Sequence, residues 1–164
     1  MSVEAGLNPD FLDLLEAFTK ARVEFIVVGA HALAAQGVIR ATGDLDVWVR
    51  PSEENAARVF AALTTFGAPL AQHGVTAPDF ARAGCVYQMG LPPRRIDVLT
   101  QISGVDFAEA WPGRTFVELR GAPVAFLGRE ALLKNKRAAA RPKDLVDVDL
   151  LERQGPGSRS PRGS

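Results

Sequence analysis

The sequence holds a single cysteine, Cys85, which excludes an intramolecular disulfide and any multi-cysteine zinc site. Its mixed apolar setting, Ala83–Gly90, predicts a buried, inert thiol. Long hydrophobic runs are missing too. The longest, Phe25–Val28 and Ala30–Ala35 with His31 inside it, fall far short of the roughly 20 residues a bilayer-spanning helix needs. Met1–Asp10 lacks a basic start and a long apolar stretch, so no secretory signal is read, and a cytoplasmic location is the expectation. Neither sign of charge dominates: 19 basic residues balance 19 acidic ones. Whole-chain charge therefore gives no support for non-specific nucleic-acid binding, although a local basic patch remains compatible with it.

What is present is an ordinary globular composition, 47% apolar and 23% charged, which excludes a wholly disordered or collagen-like chain. A length of 164 residues points to one domain, expected over 1–153. The tail Gln154–Ser164 holds Gly, Pro, Ser, Arg and a lone Gln, nothing that fills a core, and is expected to be disordered.

Periodicity divides the rest. Phe11, Leu14, Leu15 and Phe18 recur at three- and four-residue spacing, predicting a helix over Pro9–Ala21 with Asn8 as its N-cap. Glu24–Val28 reads as a buried strand. Gly29 breaks it, an alanine-rich helix follows over Ala30–Gln36, and Gly37 supplies a left-handed stop. Asp44–Arg50 alternates as a strand; Ser52–Phe66 is helical and ends at Gly67. Cys85–Met89 with Arg94–Thr100, and Thr115–Leu119 with Val124–Leu127, read as strand pairs. Arg129–Ala139 and Pro142–Arg153 read as helices, parted at Arg141-Pro142 because a residue before proline avoids the helical region. The expected class is α+β, a mixed sheet flanked by helices with a C-terminal helical pair.

Asp44-Leu45-Asp46 carries the first chemical signal. On a strand the two acids share one face about 6.5–7 Å apart, while Leu45, Val47 and Val49 face the core. Paired carboxylates repel unless a cation lies between them, and hard oxygens suit Mg²⁺, which is commonly held by one or two carboxylates plus substrate phosphates. Asp97, in Arg95-Ile96-Asp97-Val98-Leu99, repeats the pattern and joins them if its strand lies alongside. Three acids allow two metals, or one metal and a general base.

Upstream, Phe25–Leu33 reads strand, glycine, helix. Gly29 permits close backbone approach, and the N–H groups after it form an anion site. Neither a P-loop nor a dinucleotide-binding glycine pattern is present.

Three stretches together, Val28-Gly29-Ala30-His31-Ala32-Leu33, Gly37–Val47 with Asp44-Leu45-Asp46 inside it, and Ile96-Asp97-Val98, resemble the polymerase-β-type nucleotidyltransferase superfamily. More narrowly they are similar to small bacterial nucleotidyltransferases of the abortive-infection, toxin-related kind, whose closing motif Asn135–Asp147 also resembles. The resemblance spans about residues 8–152. It implies that Gly29 and Ala30 hold nucleotide phosphates, that Asp44 and Asp46 bind Mg²⁺ (or Mn²⁺), and that Asp97 completes the metal site. Ala30 stands where that family has Gly or Ser, so a hydroxyl contact to phosphate is lost while backbone donors remain.

Around this centre, Arg40 and Thr42 flank the approach to Asp44 and suit phosphate contact or loop ordering. Lys136 would neutralise triphosphate charge, with Lys143 and Asp144 close by. His31 and His73 lack spaced partners and read as structural. Trp48 shares the face of Asp46 and is expected to pack beneath a helix. Pro69–Arg82 is assigned as a loop that could shape acceptor binding. Lys136, Arg137, Arg141 and Lys143 together suggest a local phosphate-binding patch. The activity implied is NMP transfer from an NTP to an acceptor hydroxyl, on tRNA or other RNA in a toxin–antitoxin-like setting, with no membrane partner. Two alternatives stand beside it: a catalytically silent nucleotidyltransferase-like binding module, an antitoxin or partner protein forming half of a toxin–antitoxin pair, and a small-molecule enzyme of the aminoglycoside type.

Overall fold

The structure, a computed structural model, describes residues 3–39 and 43–155. Arg40 and Thr42, and the tail beyond Gly155, lie outside the described residues. Six helices and six strands follow in the order α1 (Pro9–Lys20), β1 (Phe25–Val28), α2 (Gly29–Ala35), β2 (Leu45–Val49), α3 (Glu53–Phe66), β3 (Val86–Met89), β4 (Ile96–Leu99), α4 (Phe107–Ala110), β5 (Thr115–Leu119), β6 (Ala122–Phe126), α5 (Arg129–Ala139) and α6 (Pro142–Gln154). Short 3₁₀ turns fall at Glu4–Gly6, Ala77–Ala81 and Trp111–Gly113.

The caps explain the boundaries. The Asn8 side chain accepts from the Phe11 N–H at 2.9 Å, and Pro9 opens α1, where its missing N–H costs nothing. Ser52 caps α3 in the same way, and Gly67 closes it in the left-handed region.

The sheet runs β3-β4-β2-β1-β6-β5. β2 pairs antiparallel with β1 and parallel with β4; β6 lies parallel to β1, and both edge strands are antiparallel to their neighbours. Because strand side chains alternate, the sheet buries both faces under different helices. One face, with Val27, Leu45, Val47, Val49 and Val98, packs against Phe11, Leu14 and Phe18 of α1 and Val59 and Leu63 of α3. The other, with Ile26, Val28, Trp48, Ala125 and Leu127, packs against Phe107 of α4, Leu132 and Leu133 of α5, and Val148 and Leu151 of α6.

The structure differs from the sequence reading at four places. Pro69–Arg82 is more than a loop: it contains the 3₁₀ turn Ala77–Ala81, and Leu70 and Phe80 are buried in the core on the face of the sheet away from the acids. Phe107–Ala110 and Trp111–Gly113 form helical turns unread in the sequence, and Phe107 covers Trp48 edge-on at 5.0 Å. β6 begins earlier, at Ala122, because the tight turn at Arg120-Gly121 brings Leu119 opposite Ala122. Gln154 belongs to α6 rather than the tail; its amide donates to the Gly37 carbonyl at 2.6 Å. Among the described residues no helix is long and apolar enough to cross a membrane.

Candidate active site

The parallel ladder of β2 and β4 sets Asp46 directly opposite Asp97, while the antiparallel ladder of β1 sets Val28 opposite Asp46 on its other side. Gly29 follows Val28 and opens α2. Asp44, just ahead of β2, completes an acidic edge. A cavity of about 470 Å³ opens over it, lined among others by Gly29, Ala30, Asp44, Asp46, Asp97 and Lys136.

Gly29 answers two demands. Its φ is +73°, in the region side chains avoid, and a Cβ there would stand 2.5 Å from Asp46 Oδ2. Gly29→Ala should therefore cost about 1–2 kcal/mol in backbone strain and push the Asp46 carboxylate aside. The expected result is a folded protein with a lowered melting temperature by calorimetry. A wild-type melting temperature in this variant would refute the close approach.

Asp46 is the acid under most electrostatic pressure. Burial, then repulsion from Asp97 and Asp44, pushes its carboxyl up to about 6, against a smaller opposing pull from Arg95 and Lys136. The cation that restrains the cluster is Arg95, one residue before β4. Its Nε donates to Asp97 Oδ1 at 2.9 Å, and its Nη2 lies 3.4 Å from Asp97 Oδ2 and 3.4 Å from Asp44 Oδ2. Its backbone N–H also donates to Asp44 Oδ1 at 3.2 Å. Exposed Gln88 on β3, opposite Asp97, donates to Asp97 Oδ2 at 3.4 Å. Arg95 and Gln88 are absent from the sequence-derived site. The Arg-x-Asp spacing holds a signal for the first, since residues two apart on a strand share a face.

A divalent cation fits this donor set in a limited way. Among the described residues, no three His, Cys, Asp or Glu side chains converge to hold a metal by themselves. Arg95 engages Asp44 and Asp97 with its own fork. Mutually repelling hard oxygens at one cavity edge, one of them with a raised pKa, are still the chemistry Mg²⁺ accepts when phosphates complete its shell.

The basic stretch is arranged differently from the expected patch. Buried Lys136 sits between Asp144 at 3.2 Å and Asp147 at 3.1 Å. Arg141 Nε bonds Asp144 Oδ2 at 2.6 Å, and Arg137 pairs with Glu152. Among the described residues only Lys143 of the four lacks an acid partner; it is exposed and lines the cavity. Asp144 is fully buried and does not line the cavity, whereas Asp147, unassigned from the sequence, does. Burial would raise the Asp144 carboxyl, but the bonds from Arg141 and Lys136 outweigh it and hold the group low.

The two histidines lie apart in the fold, and Cys85, expected to be buried, is only half-buried. His31 is buried, and a ring N–H donates to the Asp44 backbone; burial keeps the imidazole pKa below its ordinary value despite that bond. His73 Nδ1 lies 2.9 Å from the Tyr87 hydroxyl. The half-buried Cys85 has its thiol pKa raised by burial, the mark of an unreactive group.

No protein-family model and no curated protein matches the sequence. Solved structures do share its fold. A candidate nucleotidyltransferase from Thermotoga maritima superposes with a TM-score of 0.54 at 16% identity, covering 90% of this chain and 93% of its own. ANT(2″)-Ia, in complex with adenylyl-2″-tobramycin, gives 0.52 at 17% identity over 86% and 84%. The lincosamide antibiotic adenylyltransferase LnuA, bound to lincomycin, gives 0.50 at 11% identity over 89% and 96%. The six-stranded mixed sheet flanked by helices, superposed on these three structures, is a nucleotidyltransferase-like fold.

Proposed function

We propose that this chain is a divalent-cation-dependent nucleotidyltransferase that moves an NMP from an NTP to an acceptor hydroxyl. The observation that carries the reading is the Asp46–Asp97 pair, side by side across β2 and β4 in a cavity rimmed by the Gly29 turn and Asp44. Asp46, with Asp44 or Asp97, would hold Mg²⁺ or Mn²⁺, which when bound polarises phosphate oxygens and stabilises the entering and leaving ones. Gly29 and Ala30 leave backbone within reach of phosphate, and exposed Lys143 supplies positive charge at the cavity wall, where Lys136 is held by Asp144 and Asp147. The acceptor oxygen bonds to the α-phosphorus, the α–β bridging P–O bond breaks, pyrophosphate departs, and Asp97 takes the acceptor proton.

The acceptor expected from the sequence is an RNA hydroxyl in a toxin–antitoxin-like setting. Its support was the cationic stretch, and acids pair three of those four cations, so little of a phosphate-backbone footprint remains. That pairing favours a second reading, a small hydroxylated acceptor, in line with the tobramycin adduct and the lincomycin bound in two structures of the same fold.

Incubation with Mg²⁺, each α-labelled NTP, total tRNA, an aminoglycoside and a lincosamide separates these. Label should pass to an acceptor with release of pyrophosphate, and an Asp44→Ala/Asp46→Ala control should lose both. Label on the antibiotics supports the small-molecule reading, and label on tRNA the RNA reading. No transfer and no pyrophosphate from the wild type would leave a silent binding module that pairs with an antitoxin-like partner.

A further inference from the structure

Arg95 stands where the acid cluster is least able to accept a metal unaided. Its guanidinium engages Asp97 at 2.9 and 3.4 Å and Asp44 at 3.4 Å, occupying oxygens from two of the three carboxylates. The side chain is 31% exposed and lines the same cavity as the Gly29 turn, so a ligand entering the cavity reaches its guanidinium. It is tethered one residue ahead of β4, and its backbone N–H bond to Asp44 does not depend on where the side chain points.

We propose that Arg95 is an exchangeable counter-ion: it holds the acids together without metal and transfers its fork to the phosphates when a metal–nucleotide complex enters. This rests on the nucleotidyltransferase reading above. A fixed cation between two carboxylates competes with a divalent cation for the same lone pairs and adds repulsion of its own. Metal alone must displace the fork with nothing to receive it. A nucleotide brings both the missing metal ligands and a new partner for the guanidinium, since an arginine fork matches phosphate as well as carboxylate. The arrangement makes metal loading conditional on nucleotide and names Arg95 as a nucleotide-binding residue. Lysine would not replace it fully, because a point charge cannot bridge Asp44 and Asp97 in this bidentate way.

The test reads binding rather than turnover. Mn²⁺ binding is followed by the loss of the free-ion paramagnetic resonance signal, with and without the non-transferable analogue α,β-methylene-ATP. Wild type should bind Mn²⁺ weakly alone and much more tightly with the analogue. Arg95→Met should bind Mn²⁺ alone at least about tenfold more tightly, bind the analogue at least about fivefold more weakly, and lose most of the coupling between them. Arg95→Gln repeats the comparison with a polar neutral side chain should Arg95→Met melt abnormally early. Unchanged or weaker Mn²⁺ binding in a folded neutral variant, with Asp46→Asn unable to bind, would overturn the role of Arg95 alone. Wild-type Mn²⁺ binding in Asp46→Asn would overturn the metal site, and this inference with it.

Discussion

Asp46→Asn is expected to abolish transfer, by at least about a thousandfold, while making the metal-free protein more stable. Loss of activity follows if a neutral amide cannot supply the charge that holds a divalent cation against phosphate. The gain in stability follows from the acid's position between Asp97 and Asp44, buried beside Gly29. A carboxyl displaced from 3.8 to about 6 binds a proton more tightly in the folded state than in the unfolded one. Between those values the native state carries more protons, so stability falls as pH rises through this window. Above it the folded protein bears a cost of about 3 kcal/mol, which the amide removes. Thermal melts of the metal-free protein at about pH 5 and pH 8 should show Asp46→Asn gaining stability relative to the wild type at the higher pH; the comparison removes the opposite trend that His31, its pKa lowered by burial, gives to both proteins. A variant that gains nothing over the wild type between those pH values would contradict the repulsion within the acid cluster. A variant that kept activity would remove Asp46 from the chemistry altogether.

The second large effect belongs to Asp144. Its carboxylate has no exposure and accepts from Lys136, from the Arg141 guanidinium and from the Arg141 backbone N–H. Asp144→Ala leaves Lys136 buried with Asp147 alone and takes away the reciprocal cap at the start of α6. Breaking a buried ion pair from one side costs roughly 3–5 kcal/mol, which lowers the melting temperature of a chain this size by roughly 10 °C. Because the folded-state carboxyl is held below its ordinary value of 3.8, its contribution is present above that value and is lost as pH falls through the lowered one. Wild type and variant should accordingly differ most near neutral pH and converge in strong acid. A difference below about 1 kcal/mol by calorimetry at about pH 7 would mean that Asp144 does not tie α5 to α6.

Asp144 also shows what a residue-by-residue reading misses. An acid three residues after Arg141 and two after Pro142 is legible as a helix-start residue, and the structure has it there, in a reciprocal cap. Its partner Lys136 lies on another helix, eight positions earlier, and the turn between α5 and α6 sets that meeting. Arg95 obeys the same strand periodicity as Asp97, but its importance lies in reaching Asp44, 51 positions away, which no local pattern encodes. Asp106 and Glu109 form a reciprocal cap whose spacing was readable, yet the four-residue helix they open is too short for apolar periodicity to register.

By itself the sequence determined the local features: the Asn8 cap, the helix opening at Ser52 and its end at Gly67, the left-handed stop at Gly37, the shared face of Asp44 and Asp46, and the break at Gly29. Each depends on interactions within a few residues or on a fixed side-chain period. The tertiary structure alone decided that β4 lies parallel to β2 with Asp97 opposite Asp46. It also decided that Pro69–Arg82 packs on the far face of the sheet and that three of the four C-terminal cations meet acids. Those outcomes follow from how helices distribute over the two apolar faces of one sheet. Burial there is non-directional, and it is settled by the whole chain at once rather than by any one segment.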